Sequence, residues 1–207
     1  MLGWYEATDA RRSAGEANVP ALSVLQGFIL GRGIRNIVQL GHYEGFSTLL
    51  FGFMMRRMGH KNSVFTVDID ANVSEFTRDW VDRAGLSDYV RVVTASSDAP
   101  HLPAEALEYF GERMRSLFID SLHHYRHTMS ELRIWWPWLS PFGLVFAHDV
   151  SLHAATESDD SEGGSGRALT EWARETRAAH ILVNGHFRPG NPLVYLDPCG
   201  LAIMQKP

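Results

Sequence analysis

The stretch Asn36-Ile37-Val38-Gln39-Leu40-Gly41-His42-Tyr43-Glu44-Gly45-Phe46-Ser47-Thr48 constrains this chain more than any other. It begins as a short apolar run that reads as a strand and breaks at Gly41. A second glycine, Gly45, follows, and then Leu49, Leu50, Phe51, Phe53, Met54 and Met58 recur at helical spacing. Strand, glycine turn and helix form the shape of a nucleotide-binding βα unit. Gly41 permits the sharp turn and a close ligand approach, and the free N–H groups that open the helix face that ligand. The same pattern also serves simply to pack a helix tightly on a strand.

Downstream, strands and helices alternate. Expected strands are Ser63–Asp68, Val90–Thr94, Ser116–Asp120, Leu144–His148, Ile181–Val183 and Leu201–Met204. Expected helices are Pro20–Leu30, Val73–Ala84, Pro103–Phe110, Tyr125–Leu139 and Arg167–Thr176, with Pro137 kinking or ending the fourth. Pro141-Phe142-Gly143 reads as a turn. Alternation of this kind predicts an α/β fold, a doubly wound and mostly parallel sheet covered on both faces.

The chain of 207 residues reads as a single domain, residues 1–207. Residues 1–19 are expected to form an N-terminal arm. Residues 157–166, rich in Ser, Asp, Glu and Gly, are expected to form a mobile loop, either a lid or a plain connection. A net charge of −5 disfavours a nucleic-acid partner, and no apolar run has membrane-spanning length. Charged residues precede the first apolar stretch, so no secretory leader is read, and a cytoplasmic protein is expected. Cys199 is the only cysteine, which excludes an internal disulfide and a Cys-rich zinc site.

Four strand ends carry polar residues: Gln39 to Glu44, Asp68 with Asp70, Asp120, and His148-Asp149. In an open α/β sheet such ends converge on one crevice. Asp68 stands one βα unit after the glycine turn. There a carboxylate suits a ribose diol, because it accepts two hydroxyl hydrogen bonds. The alternative for Asp68 and Asp70 is to cap the next helix.

Taken together, these features resemble class I S-adenosylmethionine-dependent methyltransferases. Within them they are most similar to the catechol O-methyltransferase-like branch and to sugar and antibiotic-tailoring O-methyltransferases. The resemblance runs from about Ile37 to Val150. It rests on Gln39-Leu40-Gly41-His42-Tyr43-Glu44-Gly45-Phe46-Ser47, Ala84-Gly85-Leu86, Ala95-Ser96-Ser97-Asp98, Phe118-Ile119-Asp120 with His123 and Tyr125, Leu139 to Gly143, and His148-Asp149. It implies a Rossmann-like sheet of seven strands with the last antiparallel. It implies S-adenosylmethionine as cofactor, with Gly41, Tyr43 and Ser47 around its methionine end, Asp68 on its ribose, Ser96 and Ser121 near its adenine, and Gln39, Gly45 and Asp120 as further cofactor-binding residues. Gln39 stands where the family usually has an acid, and Leu122 where a polar residue is common.

The resemblance further implies Mg²⁺ at Asp120 and the pair His148-Asp149. Because imidazole suits softer ions, three states stay open: Mg²⁺ on the two carboxylates, a softer ion that includes His148, or no metal. The reaction implied is methyl transfer to a hydroxyl of a small molecule, such as a sugar or secondary metabolite. Asp120, His123 and His148 are its candidate catalytic residues. His123 is the first candidate base and His148 the second, since an unperturbed histidine titrates near about pH 6.5. His127 is expected on a solvated helix face. Trp4, Tyr5, Trp135, Trp136 and Trp138 are candidates for an acceptor pocket, for the core, or for an interface such as that of a homodimer. Two rival readings stay open: a non-catalytic cofactor-binding or scaffold protein, and a nicotinamide-dependent oxidoreductase. Gly-x-Gly-x-x-Gly is absent after the first strand, which counts against the second rival.

Overall fold

A computed structural model describes residues 19–193 and 195–207. The expected arm, with Trp4 and Tyr5, lies outside the described residues, apart from Val19. In chain order the elements are α1 (Val19–Arg32), β1 (Ile37–Leu40), α2 (Phe46–Met58), β2 (Val64–Asp68), α3 (Ala71–Arg83), β3 (Val90–Thr94) and α4 (Leu102–Phe110). There follow β4 (Met114–Ile119), α5 (Tyr125–Trp135), a 3₁₀ turn (Trp136–Trp138), β5 (Leu139–His148), α6 (Leu152–Glu157), α7 (Gly164–Thr176), β6 (Ala179–Val183) and β7 (Leu201–Gln205).

The strands form one seven-stranded sheet in the order β3-β2-β1-β4-β5-β7-β6. Strands β1 to β5 pair in parallel, and β7 runs antiparallel to both β5 and β6. The expected architecture, last strand included, is therefore the observed one. Successive strand residues point to opposite faces, so the pairs Ile37/Val38, Val64/Phe65, Leu117/Phe118 and Val145/Phe146 split between two cores. One core is roofed by α1, α2 and α3, the other by α4, α5 and α7. The central strands β1, β2 and β4 are buried on both faces along most of their length, as a doubly covered sheet requires.

Two local expectations are corrected. Pro141-Phe142-Gly143 is not a turn between elements but lies inside β5, which already begins at Leu139. Phe142 takes a left-handed φ of 60° there, and the β4–β5 register shifts between Met114 and Ser116, so the strand absorbs the irregularity as a kink. The 157–166 segment is not wholly irregular either. Gly164, Ser165 and Gly166 are buried in the first turn of α7. The Asp160 carboxylate accepts from the N–H groups of Tyr125, Glu162 and Gly164 at 2.7–3.0 Å. Pro137 acts as expected, since α5 stops before it and gives way to the 3₁₀ turn.

Candidate active site

The polar strand ends meet where β1 lies between β2 and β4, the point at which connections leave in opposite directions. A cavity of about 410 Å³ opens there. It is lined by Gly41, Tyr43, Asp68 and Ile69 on one side and by Ser96, Ser97, Asp120, Ser121, Leu122, His123 and His127 on the others. That volume lies in the ~300–1,000 Å³ range of small-molecule sites.

Gly41 lies against the end of β4. A Cβ at this position would stand 2.1 Å from the Asp120 carbonyl oxygen, and its φ is 82°. No other residue type fits. Gly45, at φ 89°, precedes α2, and a Cβ on it would meet Thr77 Cγ2 at 2.7 Å. Between them Tyr43 takes a positive φ of 42°, uncommon outside glycine and frequent at functional sites. Asp68 holds this loop. Its Oδ2 accepts from the N–H of His42 (3.1 Å) and of Tyr43 (3.0 Å), and its Oδ1 from the N–H of Asp70 (3.0 Å). The carboxylate still lines the cavity, with acceptor capacity left. Asp70 is a cap: its Oδ1 accepts from Asn72 N–H (2.7 Å) and Val73 N–H (3.4 Å) at the start of α3.

Gln39 is fully buried beneath the loop rather than in the cavity. Its amide donates to Gly41 O (3.0 Å) and Ser47 Oγ (2.7 Å), and its Oε1 accepts from Thr48 (2.9 Å). Gln39 and Ser47 therefore brace the glycine turn from below. His42 is buried as well, between Thr66 Oγ1 (3.1 Å) and Ser74 Oγ (3.2 Å). Burial lowers its pKa to about 4, against the pull of Asp68 and with the push of Arg78, so it is neutral at physiological pH.

At the ends of β4 and β5, ligating atoms of Asp120, His123 and Asp149 lie within 4.8 Å of one another. His123 Nε2 stands 3.1 Å from Asp149 Oδ2. Asp149 has a left-handed φ of 53°, uncommon outside glycine and frequent at functional sites. His148 falls outside this group. Its Nδ1 lies 3.3 Å from Asp120 Oδ1 and 3.2 Å from Asp149 Oδ2, while Nε2 lies 3.2 Å from Asp197 Oδ2. Burial favours the neutral ring, but these three carboxylates outweigh it and hold His148 well above the usual histidine range. Burial likewise pushes Asp149 upward, yet the His148 bond and charge, with His123 and Cys199, bring it down to about 2. His148 is buried among three acids, and neither ring nitrogen faces away from a carboxylate.

Along β3 and α5 lies a polar network that the expected site contained only in part. Ser96 donates to Asp98 Oδ1 at 2.6 Å. Ser97 and Ser121 both donate to Glu131 Oε1, at 2.5 and 2.6 Å. His127 is not on a solvated face: it lines the cavity, with Nε2 2.9 Å from Ser97 Oγ and 3.3 Å from Glu131 Oε1. The tryptophans are elsewhere. Trp135 is core, its indole N–H given to Ser97 O, and Trp136 and Trp138 pack against the same core. Sequence reasoning missed Glu131, Ser97 and Asp197. Glu131 had left a trace, an acid in the apolar stripe Thr128, Leu132, Trp135 of α5.

This sheet, glycine turn and strand-end carboxylate set place the molecule in the class of Rossmann-like methyltransferase folds. The solved structures it resembles include an O-methyltransferase from Bacillus cereus in complex with SAH, at 18% identity and TM-score 0.71, covering all of this chain and 90% of that one. They also include the SAH-bound methyltransferase PaMTH1 of Podospora anserina, at 15% identity and TM-score 0.71, covering all of this chain and 87% of that one. A third is the O-methyltransferase TomG of Streptomyces achromogenes, involved in tomaymycin synthesis and in complex with SAM, at 15% identity and TM-score 0.70, covering all of this chain and 90% of that one. A family model described as "Methyltransferase domain" matches residues 38–150, more than half of the chain. The chain belongs to that methyltransferase-domain family. Comparison with curated proteins gives no match. No helix among the described residues is long and apolar enough to cross a membrane.

Proposed function

We propose that this protein transfers a methyl group from S-adenosylmethionine to a hydroxyl of a small molecule, with a divalent cation at Asp120, His123 and Asp149. The observation that carries the reading is the placement of that three-residue group beside a cavity floored by Gly41 and Asp68. Gly41 leaves backbone exposed where a Cβ would close the gap, and Asp68 offers a carboxylate for a ribose diol. Ile69 and Leu122, 75% and 52% exposed, line the same cavity and suit the faces of a flat ring. The residues therefore fit the cofactor; the two carboxylates of the set fit a hard cation such as Mg²⁺, and the His123 imidazole suits a softer one.

The bound sulfonium would supply the methyl group, the carbon–sulfur bond breaking as the oxygen–carbon bond forms. The cation would lower the acceptor hydroxyl's pKa and fix its direction. The protein's own residues then align two ligands and hold the charge. His148 keeps three carboxylates together in a small buried volume without their mutual repulsion forcing them apart.

A second reading of the same site is favoured by the His123–Asp149 pair. With Nε2–H given to Asp149 Oδ2 at 3.1 Å, His123 Nδ1 is the free acceptor and can take the hydroxyl proton directly. The strand-end geometry serves either version.

Calorimetry with S-adenosylhomocysteine, followed by mass spectrometry of candidate alcohols incubated with protein and S-adenosylmethionine, tests the proposal. Binding with methylated product supports it. Binding without product from any acceptor supports the non-catalytic alternative. Absence of binding rejects both.

A further inference from the structure

The second side chain of the Ser97–Glu131–Ser121 network to line up is the one no motif announces. Glu131 is fully buried on α5, and Ser97 and Ser121 come from two different strand ends, yet one oxygen, Glu131 Oε1, receives both hydroxyls at 2.5 and 2.6 Å. As a carboxylate, Glu131 can only accept. Each serine hydroxyl has a single proton, and both protons are committed to Glu131. What Ser97 and Ser121 present to the cavity they line is therefore lone pairs alone. His127 Nε2, 2.9 Å from Ser97 Oγ, stands on the same side, raised above the usual histidine range first by its hydrogen bond to Glu131. A ring that donates to Ser97 leaves that serine's proton on Glu131.

We infer that Glu131 is a positioning residue that sets the hydrogen-bond polarity of this wall, making it a selector for a ligand amino group over a carbonyl. The inference rests on the proposed cofactor and deepens it. The ligand portion concerned is a flat heteroaromatic ring, which the exposed Ile69 and Leu122 suit, bearing an exocyclic N–H donor, as adenine does. A buried acid is costly to retain, and the second oxygen of this one, Oε2, has no hydrogen-bond partner among the described residues. Packing alone would be served better by an apolar side chain at this core position of α5.

The test is calorimetric and needs no turnover. S-adenosylhomocysteine is compared with its inosyl analogue, which carries a carbonyl in place of the 6-amino group. The wild-type protein is expected to favour the adenosyl compound by about tenfold or more, the size of one reversed hydrogen bond. Glu131→Met removes the acceptor at similar size, frees both serine protons to turn toward the cavity, and should bring the two affinities together. A wild-type protein that binds both compounds equally overturns the inference. So does a Glu131→Met variant that melts like the wild type and keeps the full preference. If that variant fails to fold, Ser121→Ala replaces it, since loss of one acceptor should also narrow the gap. An unchanged gap there overturns the inference. Failure of both compounds to bind rejects the cofactor reading itself, whereas binding without discrimination rejects only the role of Glu131.

Discussion

His123 Nε2 and Asp149 Oδ2 stand 3.1 Å apart, and the same Asp149 oxygen is 3.2 Å from His148 Nδ1. One carboxylate oxygen thus joins a half-buried histidine beside the cavity to a buried one behind it. If a cation is used, Asp120→Ala and Asp149→Ala each remove most of the activity, because a single remaining carboxylate holds Mg²⁺ poorly. Chelator then abolishes turnover and a divalent ion restores it. If His123 acts alone as base, chelator has no effect, and His123→Ala is the most damaging change, with loss of the histidine limb of the pH–rate profile. Full activity in Asp120→Ala would rule out the cation version, and full activity in His123→Ala the version in which it is the base.

Asp68 and Asp70 separate a ligand role from a capping role. Asp68→Ala should weaken binding of S-adenosylmethionine by on the order of 2–3 kcal/mol, two hydrogen bonds at roughly 1–1.5 each. Asp70→Ala should cost about 1 kcal/mol of stability, as loss of an N-cap does, and leave affinity unchanged. Calorimetry and thermal melts on the two variants check this. Equal affinity in Asp68→Ala and wild type would refute the ribose contact.

His42 should make the fold acid-sensitive before any carboxylate does. Its folded pKa, about 4, lies below the unfolded value of 6.5. The unfolded chain therefore binds the extra proton first, and stability present above pH 6.5 is lost as pH falls from 6.5 toward 4. The full effect is at most about 3 kcal/mol. Denaturant melts across that range should show a steep decline in wild type and a shallower one in His42→Gln. Parallel declines would remove His42 as the cause.

Asp160 should govern order in the segment between α6 and α7. Its carboxylate takes the N–H groups of Glu162 and Gly164 as well as that of Tyr125. Hydrogen exchange should find the Glu162 and Gly164 amides protected in wild type and fast in Asp160→Ala. Fast exchange in the wild type would instead favour the mobile lid that the composition suggests.

Much of this was legible in the chain because it is local. The glycine turn, the acid closing β2 and the apolar runs of the central strands each announce themselves within a few residues. The alternation of elements implies the winding. What was illegible is long-range. Asp197 reaches His148 across 49 residues, with no pattern linking them. The Ser97–Glu131 pair spans 34 residues and depends on which face of α5 meets the cavity. His127 was expected on a solvated helix face, but it meets Ser97 and Glu131. Its ring is held by residues that follow β3, with Nε2 2.9 Å from Ser97 Oγ and Nδ1 3.9 Å from Asp98 Oδ2. The described tryptophans were legible only as alternatives: pocket, core and interface stood open for Trp135, Trp136 and Trp138, and it is the packing of α5 and its 3₁₀ turn on the sheet that makes them core.

The place of β7 has a consequence for how the molecule is made. It pairs with β5 on one side and β6 on the other, yet it is the last strand to be synthesised. On a ribosome, chains fold from the N-terminus as they emerge. β6 leaves the tunnel before β7, the one strand it pairs with among the described residues, and β5, paired with β4, keeps an open edge until Leu201–Gln205 arrives. The half of the sheet that carries His148 and Asp149 is thus finished after the half that carries Gly41 and Asp68. A nascent chain acquires its glycine turn well before it acquires its acid cluster.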